Sequence, residues 1–157
     1  MPDTVVVVGI GGMGQSVARR LGSGSALLLA DRDADALDAF ASSLSADGHQ
    51  VTATPLDVAD ADAVAALAGQ AQSLGSVRTV VHTAGLSPVQ APPEAILRVD
   101  LLGVAHVLEE FGRVIAPGGA GVVISSMAGH MGPPIDPDEE ALLARTPARE
   151  LGGLAAL

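Results

Sequence analysis

Val5-Val6-Val7-Val8-Gly9-Ile10-Gly11-Gly12-Met13-Gly14, running on through Gln15 to Leu21, is the stretch that decides the fold. Four consecutive valines read as a strand buried on both faces, the pattern of a parallel sheet covered by helices. The glycines that follow have the spacing Gly-x-Gly-x-x-Gly and lead into a helical segment. They divide the work: Gly9 makes the tight turn, Gly11 lets backbone approach a pyrophosphate, and Gly14 lets helix and strand pack closely. The helix amino terminus then offers N–H groups and a positive dipole to phosphates. In this strand, loop and helix context the motif predicts a dinucleotide site, with Gly9, Gly11, Gly12, Met13 and Gly14 as cofactor-binding residues.

Further strand-like runs occur at 26–30, 51–54, 79–81 and 122–125. Between them the apolar period changes to 3.6, with Met13, Val17 and Leu21 on one helix face and Val64, Leu67, Ala71 and Leu74 on another. A long fourth helix is expected from about Pro93 to Ala116, stopped by Pro117-Gly118-Gly119. Alternating strands and helices predict an α/β protein: a doubly wound parallel sheet of about five strands in three α/β/α layers, the Rossmann arrangement, with right-handed crossovers. No repeat or linker divides the chain. Residues 1–132 form the expected dinucleotide-binding domain. Residues 133–157 read as an acidic, Pro-rich loop, a short helix capped by Asp136 with Pro137 in its first position, and an apolar tail of the same domain.

At 157 residues the chain has the size of one domain. It carries 18 acidic and 8 basic residues, a net charge of −10, which argues against nucleic-acid and anionic-membrane partners. Every basic residue is arginine; lysine, tyrosine, tryptophan and cysteine do not occur. That removes disulfides, thiolate metal sites and a cysteine nucleophile. The four histidines have no metal-ligand spacing, so no metal is expected; His49 and His106 read as surface or helix-face residues and His130 as a loop residue. No apolar run approaches the ~20 residues of a membrane span. Met1-Pro2-Asp3 lacks the basic start of an export signal, so a cytoplasmic location is expected.

Asp31 ends the second strand about 20 residues beyond the glycine loop, where a carboxylate takes both ribose hydroxyls and repels a 2′-phosphate. NAD is therefore the expected cofactor. The adjacent Arg32 keeps NADP open, because an arginine there accommodates the phosphate.

Other nucleotide-binding families with this architecture fit less well. Methyltransferases using S-adenosylmethionine usually place an acid at the loop entrance, where Val7 and Val8 stand. The β-hydroxyacid dehydrogenases share the Gly-x-Gly-x-Met-Gly form, but their later motifs are not visible. Three further segments resemble the short-chain dehydrogenase/reductase family: Leu56-Asp57-Val58 after the third strand, His82-Thr83-Ala84-Gly85 after the fourth, and Ile124-Ser125-Ser126-Met127-Ala128-Gly129 after the fifth. The resemblance implies that Asp57 and Val58 contact adenine, that Thr83, Ala84 and Gly85 back the riboses, and that Ser126 is the catalytic serine. It further implies a small-molecule alcohol or carbonyl substrate and a homo-oligomer.

The sequence departs from that family at named positions. The glycine loop is shorter than the family's Thr-Gly-x-x-x-Gly-x-Gly, His82 and Thr83 replace paired asparagines, and Asp100 stands where the family has a helix asparagine. The Tyr-x-x-x-Lys pair is missing; the usual place of the tyrosine, thirteen residues beyond the serine, is Glu139. Free tyrosine titrates near ~10 and needs a neighbouring cation to act as a base at neutral pH. Two functions follow as expectations: the cofactor-binding portion of an NAD(P)-dependent oxidoreductase cut short before the Tyr/Lys helix, or a non-catalytic NAD(H)-sensing module that assembles with a partner. Without the lost half, the fifth strand would be an exposed, apolar sheet edge.

Overall fold

The computed structural model describes residues 1–154; Ala155, Ala156 and Leu157, the end of the expected apolar tail, lie outside the described residues. Five strands, β1 (Asp3–Val8), β2 (Ala26–Asp31), β3 (Gln50–Pro55), β4 (Ser76–His82) and β5 (Ala120–Val123), form one sheet in the order β3-β2-β1-β4-β5. Every neighbouring pair is parallel, with Val5 opposite both Leu27 and Thr79.

The valine run of β1 is divided by the pleat between two helical layers. Val5 and Val7 face the core that β2 builds with α1 (Gly12–Leu21) and α2 (Ala34–Ala46), where Ala18, Leu37, Phe40 and Leu44 are buried. Val6 and Val8 face α3 (Ala61–Leu74) and α5 (Val104–Val114), packed against Val64, Leu67, Val107 and Phe111. Aliphatic side chains fill both layers, and only Phe40 and Phe111 contribute phenyl rings. The three-layer α/β/α arrangement is thus the expected one.

Acidic caps start three of the helices. Asp33 accepts from the Ala36 N–H, Asp60 from those of Asp62 and Ala63, and Asp136 from that of Asp138 at the head of α6 (Pro137–Arg145). Each such cap is worth about 0.5–2 kcal/mol.

Several expectations need correction. Of the stripe Met13, Val17, Leu21 only Val17 packs against the core: Met13 is 57% and Leu21 42% exposed, while Gly14 and Ala18 are buried. The helix lies so close to β1 that only small residues fit between them, and Met13 is turned outward. The long fourth helix is not uniform. It runs as α4 (Pro93–Ile96), a π-helical turn (Leu97–Gly103) and α5, ending at Val114. β5 lies two residues earlier than the run 122–125, because its ladder with β4 starts at Thr79 opposite Ala120 and leaves Ser125 in the following loop. His106 is buried.

Beyond α6, Ala148 and Leu151 are buried. The Ala148 N–H donates to Glu109 of α5 at 2.9 Å, and Arg149 pairs with Asp62 of α3 at 2.8 Å. This segment therefore straps the outer side of the α3/α5 layer.

Candidate functional site

The strand order reverses between β1 and β4, and ligands of such sheets bind beyond the carboxyl ends of the strands flanking the reversal. Here the two strand ends are laced together. The Thr83 and Ala84 N–H groups donate to the Val8 carbonyl at 2.7 and 3.1 Å, and the Thr83 hydroxyl donates to the Gly9 carbonyl at 2.7 Å.

The glycines differ according to their surroundings. Gly9 has φ +91, and a Cβ on it would lie 2.4 Å from the Ala84 nitrogen. A Cβ on Gly14 would lie 1.9 Å from the Gly9 carbonyl oxygen, so loop and helix meet backbone to backbone. Around Gly11 and Gly12 no described atom comes within 4 Å of such a Cβ. The two glycines at the head of α1 therefore border open space, the side from which a phosphate reaches helix N–H groups.

Beside them lies a cavity of about 230 Å³. Gly9 and Gly11 form one wall, Asp31 and Arg32 the end of β2, Asp57 and Val58 the end of β3, and Thr83, Ala84 and Gly85 the end of β4. Asp31 is fastened at both oxygens, accepting from the Ile10 N–H at 2.7 Å and from the Asp33 N–H at 3.0 Å. Asp57 accepts from the Ala59 N–H at 2.9 Å. Asp31 and Asp57 thus bring two carboxylates to the strand ends that line this cavity, acceptors suited to sugar hydroxyls.

A second cleft of about 590 Å³ opens on the other side of Thr83, Ala84 and Gly85, bordered by Met13, Asp100, Ser125 and Ser126. Asp100 projects from the π-helical turn and accepts from the Leu86 N–H at 2.8 Å. The Ser126 oxygen accepts from the Ala128 N–H at 3.1 Å and caps the 3₁₀ turn Met127–His130. Its own O–H stays free to donate. At the end of β4, in a separate cavity shared with Val107, Phe111 and Val122, His82 is 1% exposed, and neither ring nitrogen has a hydrogen-bond partner among the described residues. Burial pushes its pKa down to about 4.

The short chain dehydrogenase family profile matches residues 3–137. The chain belongs to the short chain dehydrogenase family. A short-chain dehydrogenase/reductase of Alternaria brassicicola, bsc3, is 43% identical over 128 residues, covering 82% of this chain and 47% of that protein. A short-chain dehydrogenase/reductase of Burkholderia phymatum, solved in complex with NAD, superposes with a TM-score of 0.74 at 27% identity, over 91% of this chain and 56% of that one. An alcohol dehydrogenase of Thermococcus sibiricus complexed with 5-hydroxy-NADP gives a TM-score of 0.68 at 30% identity, over 77% and 57% respectively. The chain thus spans about half the length of the relatives it matches.

Within this short-chain dehydrogenase frame, two of the sequence departures, Thr83 and Asp100, have local explanations. The Thr83 hydroxyl supplies the side-chain tie to the glycine loop at a position where the family has asparagine. Asp100 serves as an acceptor toward the 82–86 loop, which an asparagine oxygen would equally do. Gly12 and Gly14 line neither cavity, and Met13 and Ser126 belong to the cleft and not to the cavity that holds Asp31. Sequence reasoning missed Leu86 and Val99 in the cavity wall. It also missed Val104 and Gln90 at the cleft. For Val99 and Val104 the signal is the run Val99-Asp100-Leu101-Leu102-Gly103, whose glycine would put a Cβ within 2.5 Å of Val58 Cγ2; Leu86 and Gln90 carry no sequence signal.

Proposed function

We propose that this chain is the dinucleotide-binding portion of an NAD(P)-dependent oxidoreductase that interconverts an alcohol and a carbonyl. The observation that carries the reading is the Asp31 carboxylate, held by the Ile10 N–H at the edge of a cavity whose other walls are the glycine loop and the ends of β3 and β4.

The dimensions and donors suit the cofactor. Gly11 and Gly12 leave room for a pyrophosphate at the head of α1, Asp31 would accept both ribose hydroxyls, and Asp57 and Val58 would border the adenine. The nicotinamide end would enter the cleft past Thr83, Ala84, Gly85 and Met13. When bound, the dinucleotide supplies the hydride acceptor or donor. Ser126 would donate its O–H to the substrate oxygen and hold it in place for transfer. Proton exchange with that oxygen needs a further group, since the 157 residues contain neither tyrosine nor lysine.

NAD is preferred over NADP in this reading. A fixed carboxylate opposes a 2′-phosphate, and Arg32 offsets that repulsion only in part because its side chain is exposed. Residues 133–157 belong to the same domain, supported by the burial of Ala148 and Leu151. Among the described residues no helix is long and apolar enough to cross a membrane. With no cysteine in the chain, we place the protein in the cytoplasm. Among the described residues β5 pairs with β4 alone and leaves Val122 50% exposed, an edge open to a strand from the rest of the protein or from a second copy.

The same lack of tyrosine and lysine supports the narrower reading that these residues by themselves bind NAD(H) and turn nothing over. NADH fluorescence tests the binding that both readings share, in a chain without tryptophan or tyrosine. Saturable enhancement with NADH, weaker with NADPH, is expected. Absence of binding to either cofactor would refute the assignment.

A further inference from the structure

Helix α5 carries a residue unused so far. His106 is 6% exposed, and its Nδ1 lies 3.2 Å from the carbonyl oxygen of Val58. A carbonyl only accepts, so Nδ1 must carry the proton and donate. Val58 stands in the loop between β3 and α3, where no sheet or helix ladder holds it. Among the described residues its carbonyl has no other hydrogen-bond partner.

A second contact reaches the same residue from the same helical run. Gly103 lies one turn before His106, and a Cβ there would come within 2.5 Å of Val58 Cγ2. Residues three apart share a helix face, so one face of this run touches both the side chain and the carbonyl of Val58. Val58 and Asp57 in turn form the β3 wall of the cavity.

We propose that His106 is a positioning residue for this wall: its Nδ1–H holds the Val58 carbonyl and thereby fixes the Asp57-Val58 peptide against which the adenine of a dinucleotide packs. The adenine part rests on the function proposed above; the hold on Val58 stands without it. Losing the donor leaves a buried carbonyl unpaired, and the loop then moves toward water.

The test uses the full chain with His106→Leu, which fills the space without a donor, and His106→Asn, whose amide nitrogen sits on Cγ as Nδ1 does. In His106→Leu, amide exchange at 58–60 should speed up about tenfold or more while 10–14 keep their protection. Affinities for NADH and for ADP-ribose should fall together, by about three- to tenfold. His106→Asn should restore both. Unchanged exchange at 58–60, loss spread evenly over 10–14 and 58–60, or a folded His106→Asn chain without rescue would each overturn the proposal. Should His106→Leu fail to fold, the ring nitrogen shifts of His106 in the wild-type chain decide instead, since a neutral ring protonated on Nε2 cannot donate to Val58. If the wild-type chain binds no NADH, the cofactor assignment falls, and exchange alone then decides the hold on Val58.

Discussion

The Asp31 carboxylate accepts the Ile10 N–H at 2.7 Å, so the acid that ends the second strand is bolted to the turn of the glycine loop. One group therefore does two things. It fixes the distance between the ends of β1 and β2, and it presents negative charge to the cavity. Each carboxylate oxygen has a second acceptor site, so holding the loop does not use up the capacity to accept from a ribose.

Replacing Asp31 separates these roles. Asp31→Asn keeps an oxygen for the Ile10 N–H but removes the charge, and should narrow the gap between NADH and NADPH without loosening the loop. Asp31→Ala removes both. Hydrogen bonds to charged groups contribute about 1.5–3 kcal/mol, so NADH affinity should fall roughly 10- to 100-fold. Titration of cofactor fluorescence with each variant checks both outcomes.

Two alanine substitutions within the same glycine loop should behave oppositely. Gly14→Ala would drive a methyl group to 1.9 Å from the Gly9 carbonyl oxygen, a backbone atom with little freedom to move. Overpacking of this kind costs about 1–3 kcal/mol or more, visible as a lowered urea midpoint. Gly11→Ala meets no described atom within 4 Å, and its φ of −62 suits any residue. Its stability should change by less than about 0.5 kcal/mol, while NADH affinity drops because the methyl occupies the pyrophosphate approach.

Much of this is legible in the sequence, and what is not has local causes. The valine run, the glycine spacing and Asp31 are signals carried by short segments, and they locate the sheet and the cavity. α1 misleads because hydrophobic period alone makes Met13 and Leu21 core residues, whereas the close approach at Gly14 admits only Gly14 and Ala18. The π-helical turn at Leu97–Gly103 is a tertiary effect: Asp100 reaches the Leu86 N–H and Gly103 presses on Val58, and neither partner is near in sequence. His106 reads as a surface residue because a lone histidine on a helix has no pattern; its partner is 48 residues away.

His82 makes stability depend on pH. Burial lowers its folded-state pKa to about 4, against about 6.5 in the unfolded chain. Between these values the unfolded state binds a proton that the folded state does not, so stability is full above about pH 6.5 and falls as pH drops toward 4. The drop to about 4 corresponds to about 3 kcal/mol at full effect. His82→Leu should flatten this slope in urea unfolding followed from pH 7 to 4. It should also raise stability at neutral pH, since it removes two ring nitrogens without partners among the described residues. A slope unchanged in His82→Leu would assign the acid sensitivity to other groups.

Ser126 illustrates the difference between holding a substrate and transforming it. Its oxygen is occupied as the acceptor of the Ala128 N–H, which orients the side chain at the cleft and leaves one donor for a substrate oxygen. A single preorganised donor of this kind contributes about 10²–10³ in rate. It acts only where something else exchanges the proton, and a tyrosine of ordinary pKa near ~10 would itself need a cationic neighbour. The 157 residues contain no tyrosine and no lysine. Incubated with NAD and simple secondary alcohols, this chain should therefore produce no NADH above background even though it binds NADH. When the same residues are joined to a segment carrying a Tyr-x-x-x-Lys pair, oxidation should appear, and Ser126→Ala should reduce kcat by about 10²–10³ with little change in cofactor affinity. Alcohol oxidation by the 157-residue chain alone, lost in Ser126→Ala, would instead place a complete proton-transfer group within these residues, with His130 at the end of the 3₁₀ turn the first position to test.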